Sequence, residues 1–278
     1  MIIKNEIIKN IVTIQQEMVK KALNAEQTVE KSIVPIYHLS KKYKLEQIGS
    51  GVLIKIQEEY FVFSASHVFD LIGDCALAMG VENGGEIVQL PGERFSSPKD
   101  SMGTHRKDAI DASAYRIVGE IPQSIKNRAI TLEDIDMDET KKSFCIFLSA
   151  GYRIKKSNST KYYVSSKNEA FPSIEVSKKD YELLKLNPSV SIALWHQKYW
   201  IINGKRQQSP TPRGFSGGAM IKVIAEETEQ GVKYKQKLVG IITEHRNKSR
   251  EMEGVLIGTR IIAHLSAIHK YMPELNLF

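Results

Sequence analysis

From Ser32 onward the sequence breaks into short runs rich in Val, Ile, Phe and Tyr, divided by turns of Gly, Asn, Ser and Lys. The runs are Gly51–Ile56, Tyr60–Ser64, Ala112–Val118, Phe144–Leu148, Val190–Leu194, Tyr199–Ile202, Ala219–Ile224 and Lys237–Ile242. β-Branched and aromatic residues in stretches of this length, bounded by turn formers, predict many short strands. No strand–helix–strand alternation of the kind that builds a parallel sheet accompanies them. The expected class is therefore all-β, as a barrel or a sandwich. The polar segment Ile121–Lys142, with Glu133, Asp134, Asp136, Asp138 and Glu139, reads as a connector between two β units. That divides the strand-rich part into residues 32–135 and 136–278.

Two helices flank this region. Over residues 1–31, Ile3, Ile7, Ile11, Ile14, Met18 and Ala22 recur every three or four positions and polar residues fill the other face. Such a stripe either packs on its own domain or docks a partner chain. At the other end Ile261, Ile262, Leu265, Ile268 and Met272 keep helical spacing until Pro273 stops the run.

Several classes are disfavoured. Hydrophobic residues make up 42% of the chain and charged residues 26%, a globular balance. No run approaches the ~18 apolar residues of a membrane span. Lys4, Glu6 and Lys9 interrupt what would be the apolar core of a secretion signal. Cys75 and Cys145 stand far apart, as ordinary thiols, and a cytoplasmic setting is the default expectation. The net charge of +7 is spread in short pairs such as Lys41–Lys42, without an aromatic-laced basic stripe, so specific nucleic-acid binding is not expected. His38, His105, His196, His264 and His269 lack metal-ligand spacing, and neither a metal nor a cofactor is expected.

Three segments carry chemistry. In Gly214-Phe215-Ser216-Gly217-Gly218 a serine sits among glycines, which leave its hydroxyl exposed and let backbone N–H groups approach an oxyanion. Serine needs a base to become a nucleophile. Tyr60-Phe61-Val62-Phe63-Ser64-Ala65-Ser66-His67 is an apolar strand that runs through small residues into a histidine. In Asp111-Ala112-Ser113-Ala114-Tyr115 an acid heads a strand, where it can accept the imidazole N–H and fix its tautomer. Asp108 is a nearby rival, although Lys107-Asp108 reads as solvated charge. Taken singly, each segment has a bland explanation as a turn or strand end. Together they appear in the order His, Asp, Ser, each in the local setting its role requires.

On these residues, with Gly49-Ser50-Gly51-Val52-Leu53-Ile54 and Leu238-Val239-Gly240-Ile241-Ile242-Thr243, the chain resembles the trypsin-like serine proteases of the chymotrypsin fold over about residues 33–272. The resemblance implies two antiparallel Greek-key β-barrels, the first carrying His67 and Asp111 and the second Ser216. It implies a serine endopeptidase with His67 as general base, Asp111 as orienting acid and Ser216 as nucleophile. Gly214 and Ser216 would supply the oxyanion-hole N–H groups. Thr243 falls where the family keeps a serine beside the aspartate. Thr243, Glu244 and His245 would form the edge that pairs with a protein or peptide substrate, and Pro210 would lie at the specificity pocket.

The sequence also departs from the family. Phe215 replaces the aspartate that pairs with a new N-terminus in digestive members, so activation by N-terminal trimming is not expected. Pro210 replaces the aspartate that selects Arg or Lys, which disfavours cleavage after basic residues, while His245 and Arg246 suit an acidic or amide side chain. Two other readings compete. The pentapeptide also satisfies the G-x-S-x-G of α/β-hydrolases, but too little chain follows it to complete a parallel sheet. A protease-like binding module that lacks activity is the non-enzymatic alternative.

Overall fold

The computed structural model describes residues 2–278 except 40–43, 74–75, 81–86, 106–107, 138–144, 155–157, 160–163, 203–204, 210, 230 and 250–251. The strand-rich texture resolves into two large sheets. The first is built from β1 (Ile33–Leu39), β2 (Leu45–Ile56), β3 (Glu59–Ala65), β4 (Leu77–Gly80), β5 (Ile87–Leu90), β6 (Gly92–Ser96) and β7 (Ala112–Ile117). Their order across the sheet is β5-β4-β1-β2-β3-β7-β6. Its two edge strands, β5 and β6, are separated in the chain by Pro91 alone, whose carbonyl accepts the Val118 N–H at 2.9 Å. A proline at that corner donates nothing to either ladder, which suits a bend between edges.

After β8 (Ile146–Tyr152) comes a small pair, β9 (Asn158–Ser159) with β10 (Val164–Ser165), and then β11 (Asn168–Ser173) and β12 (Ser191–Trp195). A hairpin follows, β13 (Tyr199–Ile202) with β14 (Lys205–Gln208), and the chain ends its strands with β15 (Ala219–Thr228), β16 (Gly231–Arg246) and β17 (Val255–Arg260). The second large sheet has the order β11-β8-β15-β16-β17-β12. Past the end of β11, Val176 N–H donates to the Ala193 carbonyl at 3.0 Å and Trp195 N–H to the Ile174 carbonyl at 2.9 Å, so residues 174–176 bond to β12. Among the described residues, every pairing between these strands is antiparallel. The protein is thus mostly β with antiparallel sheets, and the parallel framework of an α/β-hydrolase is ruled out.

The largest apolar cluster spans both sheets: Ile33, Val52, Ile54, Phe61 and Phe63 from the first meet Leu148, Ala150, Ala219, Leu238 and Ile241 from the second. The N-terminal reading needs correction. Instead of one helix to residue 31 there are α1 (Ile2–Leu23) and α2 (Thr28–Ser32). Between them Glu26 leaves the helix so that its N–H can donate to the Tyr234 carbonyl on β16 at 3.3 Å. Of the stripe, Ala22 is buried in the shared core and Met18 packs against it, with Val19, Ala25 and Val29 buried alongside, so this part packs on its own chain. Ile14 is exposed, while Ile3, Ile7 and Ile11 have side chains outside the description. A short helix, α3 (Ser66–Asp70), lies in the β3–β4 link, and the expected connector opens with another, α4 (Gln123–Lys126). There Ile130 bridges Ile54 and Ile135 bridges Leu238, which straps the connector to both halves.

A helix absent from the sequence expectations, α5 (Lys178–Leu184), is capped by Ser177, whose hydroxyl accepts the Asp180 N–H. The C-terminal helix, α6 (Ile261–Tyr271), ends ahead of Pro273 as its spacing predicts. It returns to the first half: His264 stacks on Phe63 at 5.3 Å and Tyr271 on Phe95 at 5.3 Å. No helix among the described residues is long and apolar enough to cross a membrane.

Candidate functional site

His67 follows the point where β3 gives way to α3. Ser64, Ala65 and Ser66 are buried, and their small side chains let the chain turn against its neighbours while the His67 side chain stays one-third exposed. Asp111 precedes β7, which lies beside β3, so the sheet register itself brings Asp111 to His67. Both carboxylate oxygens are used. His67 N–H donates to Asp111 Oδ1 at 2.9 Å, and His67 Nδ1 lies 2.6 Å from Asp111 Oδ2. An ionised carboxylate only accepts, so in this pair it is Nδ1 that donates. Asp108, the rival acid, is engaged elsewhere: it accepts the Ile110 N–H at 2.9 Å and the Ser97 hydroxyl.

Asp111 holds φ at 50°, an uncommon state for a residue other than glycine. Its neighbours maintain that geometry: the Asp111 carbonyl accepts the Ser66 N–H at 3.1 Å, and Thr259 on β17 donates its hydroxyl to the Ile110 carbonyl. The second sheet therefore helps to hold the acid of the first.

The 214–218 loop leads into β15 and is sewn to β2. Ser50 N–H donates to the Ser216 carbonyl at 2.8 Å, and Ser50 Oγ to the Gly214 carbonyl at 3.1 Å. Gly217, at φ +82°, comes so close that a Cβ there would lie 1.9 Å from the Ser50 carbonyl oxygen and 2.1 Å from Ser64 Oγ. Gly49 sits between the turn after β3 and the serine loop: a Cβ built on it would lie 2.8 Å from Val68 Cγ1 and 2.9 Å from the Ser216 carbonyl oxygen. Val68 is next to His67, so the His67 turn and the Ser216 loop both approach Gly49. Among the described residues no hydrogen bond joins His67 Nε2 to the Ser216 hydroxyl.

Three amides of the loop are used inside the fold: Phe215 N–H bonds Pro212, Gly217 N–H bonds Ile242 and Gly218 N–H bonds Phe215. The Gly214 and Ser216 N–H groups make no such bond among the described residues. Phe215 itself is fully buried, 5.7 Å from the Phe171 ring, and forms no ion pair.

A cavity of about 470 Å³ opens beside Ser216, lined in part by Thr211, Arg213, Gly214, His245 and Asn247. Behind His245 stands His196, ring to ring at 5.1 Å. Burial, with His245 adding to it, pushes His196 down to about 4, and burial lowers His245 as well. Thr243 and Glu244 do not line this cavity. The Thr243 hydroxyl donates to the Ile257 carbonyl at 3.3 Å, and exposed Glu244 pairs with Arg246 at 2.8 Å. Pro210 lies outside the described residues. Residues 244–246 pair with β17 on one side, whereas β15 leaves the other side of β16 at Ile241.

Sequence reasoning missed Thr259, His105 and Asp70. Their partners are distant in the chain, and no local pattern signals them. Among the described residues no group of acids, cysteines and histidines could hold a metal ion. No family model matches this sequence, and no match to a curated protein reaches significance.

Proposed function

We propose that the chain is a serine endopeptidase resembling the trypsin-like family, its two sheets being the two barrels of that fold. The observation that carries the reading is the His67–Asp111 pair, bonded at 2.6 Å, beside the glycine-lined loop of Ser216. Edge strands joined through Pro91 in one sheet and through residues 174–176 in the other support the barrel reading.

In this mechanism Ser216 Oγ attacks the peptide carbonyl as His67 Nε2 takes its proton. Asp111 keeps the ring in the tautomer that exposes Nε2 and stabilises the imidazolium. The carbonyl oxygen gains charge and accepts hydrogen bonds from the N–H groups of Gly214 and Ser216, which make no backbone bond among the described residues. His67 then passes the proton to the leaving amine, the C–N bond breaks, and water attacks the acyl-enzyme by the same route in reverse. The open side of residues 244–246 suits strand addition by substrate backbone. Arg213 and His245 suit the cavity to an acidic or amide side chain. Buried Phe215 supports a chain that needs no N-terminal trimming.

A second reading, a binding module without activity, draws on the missing bond between His67 and Ser216. A peptide library incubated with wild type and Ser216→Ala separates the two. The protease reading expects cleavage by wild type alone, with few cuts after Arg or Lys; identical uncut profiles favour the module.

A further inference from the structure

Outside the pair just described, the first sheet holds a second histidine–aspartate contact. The His105 side chain is wholly buried. Its Nδ1 lies 3.0 Å from both carboxylate oxygens of Asp70, and its Nε2 lies 2.9 Å from the Ser97 carbonyl. The His105 N–H also donates to Asp70 Oδ2 at 3.1 Å. Burial raises the Asp70 carboxyl, but hydrogen bonds from His105 and the charge of Lys99 outweigh it and hold Asp70 below its ordinary value. Arg94 Nη1 adds a cation 3.9 Å from Asp70 Oδ1.

Both anchors of the ring lead to the proposed site. Asp70 closes α3, one helical turn after His67. Ser97 flanks the acid: its N–H donates to the Ala112 carbonyl at 2.8 Å and its Oγ accepts the Ala112 N–H at 3.0 Å. A hydroxyl chain continues from there. Ser113 Oγ donates to Ser66 Oγ at 2.8 Å, Ser66 Oγ meets Ser97 Oγ at 3.2 Å, and Ser97 Oγ donates to Asp108. Ser66 precedes His67 and Ala112 follows Asp111. One imidazole thus ties the helix turn of the base to the strand end that holds the acid.

We propose that His105 is a positioning residue: bonded to Asp70 at one ring nitrogen and to Ser97 at the other, it fixes the His67 turn against the Asp111 turn. The proposal rests on the protease reading for its effect on rate, but not for its effect on the His67–Asp111 bond. A small displacement of a catalytic group costs on the order of 100-fold in rate. His105→Gln can keep the bond to Ser97 and loses the one to Asp70, while Asp70→Asn keeps the size of the acid.

The test follows the low-field proton resonance of the His67 Nδ1–H, assigned by its loss in His67→Gln, together with peptide turnover. Circular dichroism first establishes that each variant is folded. In folded His105→Gln and Asp70→Asn the resonance should broaden or vanish, and kcat should fall about 100-fold with KM little changed. A folded variant with the wild-type resonance and the wild-type kcat would overturn the proposal, as would a wild type without the resonance. If wild type shows the resonance but cleaves nothing, the protease reading fails, and the comparison of resonances still decides the role of His105.

Discussion

At Asp111 the backbone adopts a strained conformation and the carboxylate repays it with two bonds to one residue, His67. Left-handed geometry costs a non-glycine residue about 1 kcal/mol or more, so the position is held by its surroundings. Asp111→Asn should preserve the fold and lower kcat by about 10⁴-fold, because the amide permits the wrong imidazole tautomer; steady-state kinetics checks this. Gly217 is constrained more severely. Gly217→Ala would thrust a methyl into the Ser50 carbonyl at a positive φ and should cost at least about 2 kcal/mol, read from urea denaturation. The three candidate residues could be singled out because each lies inside a short stretch whose residue types suggest a setting. Their supports could not. Thr259 lies 149 residues from Ile110, and His105 lies 35 from Asp70. Only the folded sheet brings those groups together.

Among the elements, the runs that alternate strongly became strands close to where they were expected, as in β3 and β7. Short or polar strands such as β5, β6 and β14 escaped notice, since ladder bonds rather than apolar pattern define them. The capped helix α5 hid in the same way among charged residues. Ser177→Ala should lower stability by about 1 kcal/mol through loss of its cap, measurable by thermal melting. The helix α1 failed as a single 31-residue element because β16 offers Glu26 a partner that outweighs helical continuity. Packing of Val19 and Ala22 in the shared core gives α1 a structural role. Deleting residues 1–23 should therefore lower the melting temperature without raising turnover above that of the full-length chain. A truncated form active where the intact chain is silent would contradict the account of Phe215.

On the scale of the whole molecule, α1 and α2 pack with the second sheet's strands and α6 returns to the first, so each terminus fastens the two halves together. His264 sits at that junction, fully buried against Phe63, and burial lowers it to about 4. Between about pH 4 and 6.5 the unfolded chain binds the proton more readily than the folded one, so stability rises with pH across this window. Acidification from 6.5 to 4 should remove on the order of 3 kcal/mol through His264. His264→Leu should flatten that part of the dependence, and denaturant midpoints taken across this range read it. The β class and the terminal helix could be inferred from periodicity alone. The bonds between residues 174–176 and β12 could not, because those residues carry no signal of what they join.

On the proposed function, His67 makes Ser216 a nucleophile. Intact-mass and peptide mapping after exposure to a fluorophosphonate tests it most directly. The account predicts one phosphonyl group, on Ser216, absent from Ser216→Ala and formed far more slowly in His67→Ala. A folded wild-type protein that acquires no adduct, or acquires it on another residue, would contradict it.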